Sequence, residues 1–130
     1  VLIPLHRNPM VREAADEILK GSKVRIVEPL DYPDFVYLMT RSSLILSDSG
    51  GVQEEAPSLR RRVLVLRESS ERPEALEPGE CELVGSETEA ILAKSREFLA
   101  KTSERPLGTK FGDGQSAKAI VDVVLGGARA

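Results

Sequence analysis

The chain has 130 residues, 30% of them charged, which is enough for one domain with a buried core and no reliance on disulfides. Eighteen basic residues against 21 acidic give a net charge of -3, so there is no general electrostatic attraction for nucleic acid. No apolar run approaches the roughly 18 residues of a membrane helix, and the single cysteine, Cys81, excludes an internal disulfide or a cysteine-rich zinc site and points to a reduced, cytoplasmic setting.

Val1-Leu2-Ile3-Pro4-Leu5 reads as a buried strand from its first residue, with no basic segment or cleavage signal ahead of it. Opening in mid-element points to a fragment. The spacing of Val11, Ala14, Ala15, Ile18 and Leu19 predicts an amphipathic helix from Pro9 to Leu19, closed by Gly21. Val24 to Val27 is a short strand, and Phe35, Leu38 and Met39 mark a helix over about 34–40. Leu44-Ile45-Leu46 is a strand leading into a helix from Gly51 to Ser58, which Pro57 must distort or end because it lacks an amide donor. Val63 to Leu66 is continuous and apolar, as in a parallel sheet covered on both faces. A short helix begins at Glu71 with Pro73 in its first turn, Glu82 to Val84 is a last strand, and helices follow at about 87–101 and 115–124.

Strands alternating with helices through short loops predict an α/β fold: a three-layer, Rossmann-like domain with a parallel sheet between helices, spanning 1–130. The segment 102–114, rich in Gly, Pro, Ser and Thr, reads as a link to the final helix rather than a boundary between domains.

Ligands of open α/β sheets lie beyond the carboxyl ends of the strands. Ser47-Asp48-Ser49-Gly50-Gly51 occupies that place and runs into a helix, whose free amides and dipole suit a phosphate. Two glycines allow an anion close to the backbone, and Ser49 offers a hydroxyl. The competing reading is a glycine-rich turn capped by Ser49 or Asp48. Glu54 and Glu55 follow on the helix. Glu54 reads as a solvated charge, whereas Glu55 fits either a solvated charge or an acceptor for the two hydroxyls of a ribose. Arg67 and Arg72 follow the apolar strand at the same edge, where a cation could meet a diphosphate, although Glu68 and Glu71 offer ordinary ion-pair partners. Arg60-Arg61-Arg62, at the other end of that strand, reads as a solvated turn. His6, the lone histidine, ends the first strand as a polar binding contact or a structural strand-end residue, and cannot build a metal site alone.

These residues carry a resemblance. Pro4-Leu5-His6-Arg7-Asn8-Pro9, Pro29-Leu30-Asp31-Tyr32 with Phe35, the long run from Asp48 through Glu54-Glu55-Ala56-Pro57-Ser58-Leu59, Val63 to Arg67, Glu71 to Ala75 and Gly112-Asp113-Gly114-Gln115 resemble, in order, the C-terminal half of non-hydrolysing UDP-N-acetylglucosamine 2-epimerase. The resemblance implies the C-terminal domain of a glycosyltransferase-B-type fold, without its N-terminal catalytic domain. It implies interconversion of UDP-N-acetylglucosamine and UDP-N-acetylmannosamine by elimination and re-addition of UDP, with no cofactor and no metal. By the same resemblance Ser49, Gly50 and Gly51 hold the diphosphate, Glu55 the ribose, and Phe35 and Arg72 contact the uracil or nucleotide. His6 corresponds to a contact with an activating UDP-N-acetylglucosamine. The implied partners are UDP-N-acetylglucosamine or UDP and the missing N-terminal domain, in a homodimeric parent, with no nucleic acid and no membrane.

Two departures stand out. Arg60-Arg61-Arg62 replaces the family's usual Gly-Lys-Pro, and Leu30 fills a position where some members place a polar uracil contact. Because the family's catalytic carboxylates lie in the other domain, the chain by itself is expected to be inactive. A non-catalytic UDP-sugar-binding module and the donor domain of a glycosyltransferase are the alternatives.

Overall fold

The computed structural model describes residues 1–76, 78, 80–100 and 111–127. In chain order the elements are β1 (Leu2–Pro4), α1 (Pro9–Leu19), β2 (Arg25–Val27), α2 (Tyr32–Arg41), β3 (Ile45–Ser47), α3 (Gly50–Ser58), β4 (Val63–Val65), a 3-10 turn (Pro73–Ala75), β5 (Cys81–Leu83), α4 (Thr88–Ala100) and α5 (Ser116–Gly127). Every strand pairing is parallel, β1 with β2 and β3-β4-β5 in that order. The chain divides into two compact units, Val1–Leu38 and Met39–Ala130.

In the first unit, β1 and β2 align Leu2 with Arg25 and Pro4 with Val27. Asn8 caps α1, its side chain accepting the Met10 N–H at 3.0 Å, and Pro9 suits the first turn, where no amide donor is needed. Beyond the helix Gly21 takes φ +76°, the left-handed conformation that closes a helix. Asp31 Oδ1 accepts the Asp34 N–H at 3.1 Å at the start of α2. Arg12 clamps Glu28 through two 2.8 Å contacts, and this hydrogen bonding holds the Glu28 carboxyl below its ordinary range. Of the predicted apolar face of α1, Ala15 and Leu19 are half-buried while Val11, Ala14 and Ile18 are exposed. Two strands with their helices offer too little apolar surface to enclose a whole face.

The second unit holds the core: Met39, Val52, Ala56, Val63, Leu64, Val65, Ala75, Cys81 and Phe98. β4 lies between β3 and β5 and is buried along its length, as its continuous apolar run demands, and both α3 and α4 pack on it. β3 is an edge of this sheet, and Leu46 at its centre is exposed, unlike the buried strand its apolar sequence suggests.

The arginine run is a correction to the solvated-turn reading. Only Arg60 is exposed. Arg61 donates to the Ser42 carbonyl at 3.3 Å, and Arg62 is buried, donating to the Phe98 carbonyl with its guanidinium carbon 5.9 Å from the Phe98 ring centroid. A guanidinium enters an interior when an aromatic face and a carbonyl receive it. The turn itself is a Schellman closure of α3: Arg60 N–H donates to Pro57 O and Arg61 N–H to Ala56 O, both at 2.9 Å, with Arg60 at φ +58°. Arg60 thus adopts the backbone conformation that the family's glycine would supply without strain.

The helix predicted from Glu71 is only a 3-10 turn, because Pro73 starts it and the segment is too short to propagate. α5 begins where Asp113 Oδ1 accepts the Gln115 N–H at 3.1 Å, and its Ile120, Val121, Val123, Val124 and Leu125 are all exposed. Most of the predicted link 102–114 lies outside the described residues.

Candidate functional site

The site is built where β3 hands over to α3. Strand pairing in parallel brings the carboxyl ends of β3, β4 and β5 to one edge, so the loop Asp48–Ser49 and the loop from Leu66 to Arg72 leave the sheet together. Ser49 is the N-cap of α3, in extended conformation, yet its hydroxyl makes no capping hydrogen bond. Its amide is taken by the Ser47 hydroxyl at 3.1 Å. The first amides of α3, from Gly50 onward, have no intrahelical acceptors, and no acidic residue occupies the first turn. Ser49 therefore does not supply the side-chain cap that the competing reading offered it.

Arg72 covers that helix start. A methyl group on Gly50 would lie 2.5 Å from Arg72 Nη1 and 2.9 Å from Cζ, so only glycine admits the guanidinium so close to the backbone. The Nε edge of Arg72 is ion-paired with Glu54, while the Nη1 corner lies nearest Gly50. Arg72, like any arginine, is a permanent cation, and hydrogen bonding to Glu54 raises its pKa further. Glu54 is therefore a partner of Arg72 rather than the solvated charge expected from sequence. Arg67, the other candidate cation, is exposed and contributes its carbonyl to the Gly85 N–H at 3.2 Å.

Glu55 lies one turn along α3. Its Oε1 would be 3.5 Å from a methyl on Gly51, ordinary contact, so the carboxylate reaches back toward the helix start. Its Oε2 is buried without a hydrogen-bond partner among the described residues. Such an atom is costly to leave unsatisfied, and the Nε atoms of Arg61 and Arg62 share that state.

Gln53 and Ser70 are site residues that sequence reasoning missed. Gln53 is 1% exposed, and its Nε2 reaches the Ser49 carbonyl at 3.4 Å. The Ser70 hydroxyl donates to Gln53 Oε1 at 2.7 Å and accepts the Arg72 N–H at 3.0 Å. The available signal was a polar residue on the same helix face as Val52 and Ala56, where burial requires partners.

The structure thus brings together Ser49, Gly50, Gly51, Glu55 and Arg72. His6 and Phe35 belong to the other unit. His6 is exposed after β1, and its Nδ1 accepts the Asn8 N–H at 3.1 Å, which places the proton of a neutral ring on Nε2. Phe35 is half-buried in α2, its amide donating to the Asp31 carbonyl at 2.9 Å. No group of three or more metal-ligating side chains occurs among the described residues, and no helix there is long and apolar enough to cross a membrane.

The family model for UDP-N-acetylglucosamine 2-epimerase matches residues 1–125. The chain belongs to this epimerase family. It is 46% identical to the UDP-N-acetylglucosamine 2-epimerase of Neisseria meningitidis over 95% of its length, and 42% identical to that of Bacillus subtilis over 96%. Among solved structures, the N. meningitidis enzyme bound to UDP-GlcNAc matches with a TM-score of 0.73 over 95% of this chain. The S. aureus MnaA–UDP structure, 38% identical, matches with a TM-score of 0.83, also over 95%. The fold is accordingly the family's Rossmann-like α/β fold of glycosyltransferase-B type. The chain covers 35% of the N. meningitidis enzyme and 34% of the B. subtilis enzyme, about a third of each curated relative.

Proposed function

We propose that residues 1–130 are the C-terminal, UDP-binding half of an epimerase that interconverts UDP-N-acetylglucosamine and UDP-N-acetylmannosamine. The observation that carries this reading is the helix start of α3, where a glycine floor under a permanent cation adjoins a buried carboxylate oxygen with no partner. A diphosphate suits the first two features, and a ribose hydroxyl is the donor we assign to the third. The amides and hydroxyl of Ser49, Gly50 and Gly51 take phosphate oxygens, Arg72 offers its Nη corner to the same group, and Glu55 Oε2 accepts from a ribose hydroxyl. The resemblance further assigns Phe35 to the base and His6 to an activating nucleotide-sugar. The relatives' names and their UDP-GlcNAc and UDP complexes support the choice of ligand.

In this reading the reaction begins as UDP leaves C1 of the sugar with the bonding electron pair, while the C2 proton is removed. Re-addition of UDP and return of a proton to the opposite face of C2 complete the inversion. The helix start and Arg72 lower the barrier to both cleavage and re-addition by stabilising charge that grows on the diphosphate. We assign the groups that exchange the C2 proton to the two thirds of the relatives' length that this chain does not match, so the 130-residue chain should bind UDP weakly and not epimerise.

Titration of the isotope-labelled chain with UDP tests the proposal by NMR. Shifts should cluster at Ser49 to Glu55 and at Arg72. Saturating UDP with no movement there would reject the cradle, and turnover of UDP-N-acetylglucosamine by the pure chain would reject the division of labour.

A further inference from the structure

We propose that Gln53 and Ser70 are positioning residues, a two-step hydrogen-bond relay that sets Arg72 over the start of α3. Their effect on UDP affinity rests on the UDP-binding reading above. Arg72 is not on α3. It follows β4 by a loop and caps the 3-10 turn, its carbonyl accepting the Ala75 N–H at 3.0 Å, a local bond that does not tie it to α3. The relay supplies that tie. Ser70 Oγ accepts the Arg72 N–H at 3.0 Å and donates to Gln53 Oε1 at 2.7 Å, and Gln53 Nε2 reaches the Ser49 carbonyl at 3.4 Å. A buried amide on α3 therefore ties the N-cap of the anion cradle to the backbone of the residue carrying its cation. Glu54 holds the other end of Arg72 by ion-pairing with Nε. Backbone and side chain are thus tethered to the same helix, at successive residues 53 and 54.

The chemistry of each partner is specific. Ser70 must donate and accept at once, which a hydroxyl does and a methyl does not. Gln53 must present an acceptor to Ser70 and a donor to a carbonyl, which an amide does and a carboxylate does not. Gln53 is 1% exposed, so its polar atoms have no water to fall back on, and losing Ser70 leaves its oxygen unpaired. Mobility in the loop then appears at Arg72 first.

The experiment compares the chain with its Ser70→Ala, Ser70→Thr, Gln53→Met and Arg72→Ala variants and the Ser70→Ala/Arg72→Ala double variant. It uses two readouts, the Arg72 Nε–H resonance without ligand and UDP affinity. In the unsubstituted chain the ion-paired Nε–H should be protected from solvent exchange. Ser70→Ala should abolish that protection and weaken UDP about five-fold, the size of one positioning hydrogen bond. Ser70→Thr keeps the hydroxyl and should retain both. Because the relay acts through Arg72, Ser70→Ala should cause no further loss of affinity in the Arg72→Ala background. Unchanged Nε–H protection in Ser70→Ala, or the same five-fold loss without Arg72, would overturn the relay. Ser70 is only half-buried, so its variants keep the test intact where Gln53→Met fails to fold. A chain that shows the Nε–H response but does not bind UDP would support the relay and refute the UDP reading instead.

Discussion

Replacing Arg60 by glycine should stabilise the protein. Arg60 closes α3 in a Schellman turn at φ +58°, a conformation that costs an L residue roughly 1–2 kcal/mol because Cβ crowds the following carbonyl. Glycine removes that crowding but gives back about 0.4–1 kcal/mol through its greater freedom in the unfolded chain. Loss of a cation at a helix C-terminus removes about 0.3 kcal/mol more. The balance is centred on a gain of about 0.5 kcal/mol, which for a chain of this size raises the melting temperature by about 2 °C. Chemical and thermal denaturation of Arg60→Gly, Arg60→Ala and the unsubstituted chain would measure it. Arg60→Ala is the control, since it removes the charge and keeps the crowded Cβ, and it should be neutral or slightly destabilised. Equal stabilisation by alanine would show that repulsion among the three arginines, and not the backbone, is what glycine relieves. No gain from glycine would refute the strain argument outright.

Gly50→Ala should leave stability nearly unchanged, because the methyl meets only the end of a flexible side chain, yet displace the guanidinium and weaken UDP by about ten-fold; calorimetric titration alongside a melting curve separates the two effects. Glu55→Ala should weaken UDP more than inorganic diphosphate, since only UDP brings a hydroxyl to Oε2, and equal losses for the two ligands would remove the ribose assignment. Glu28 should titrate below its ordinary value of 4.5, and Arg12→Leu should raise it, as followed by carboxyl carbon shifts. Its folded pKa is depressed, so its contribution to stability is present above the unfolded value and disappears as pH falls through the folded one.

Much of the framework was legible because hydrophobic period and breaker residues agree. α1 runs from Pro9 to Leu19 as predicted, since Asn8, Pro9 and Gly21 punctuate it as strongly as its apolar spacing does. β4 was plain from its unbroken apolar run. What escaped were properties that depend on partners distant in sequence. The burial of Arg62 was decided by Phe98, which lies 36 residues beyond it and forms no pattern with it. The short 3-10 turn at Pro73 and the exposure of Leu46 likewise reflect neighbours rather than local preference. In the site, the glycines and Ser49 were visible as a motif and the resemblance alone favoured Arg72 over Arg67, whereas Gln53 looked like one more polar helix residue.

The parallel register of β3, β4 and β5 separates what the protein can change from what it must keep. Val63, Leu64 and Val65 are enclosed from end to end, so substitutions there act on whether the unit folds. Residues 48–49, 66–72 and 84–87 follow the three strands at one edge and can vary in length or chemistry while the register beneath them holds. On the proposed UDP-binding reading, an engineer altering how the diphosphate and ribose are held would work in those loops, with the Ser49-Gly50-Gly51 anchor, Ser70 and Arg72 held constant. Evolution of new ligand preference has the same route open to it, through loop positions that bear neither the anchor nor the buried hydrogen bonds.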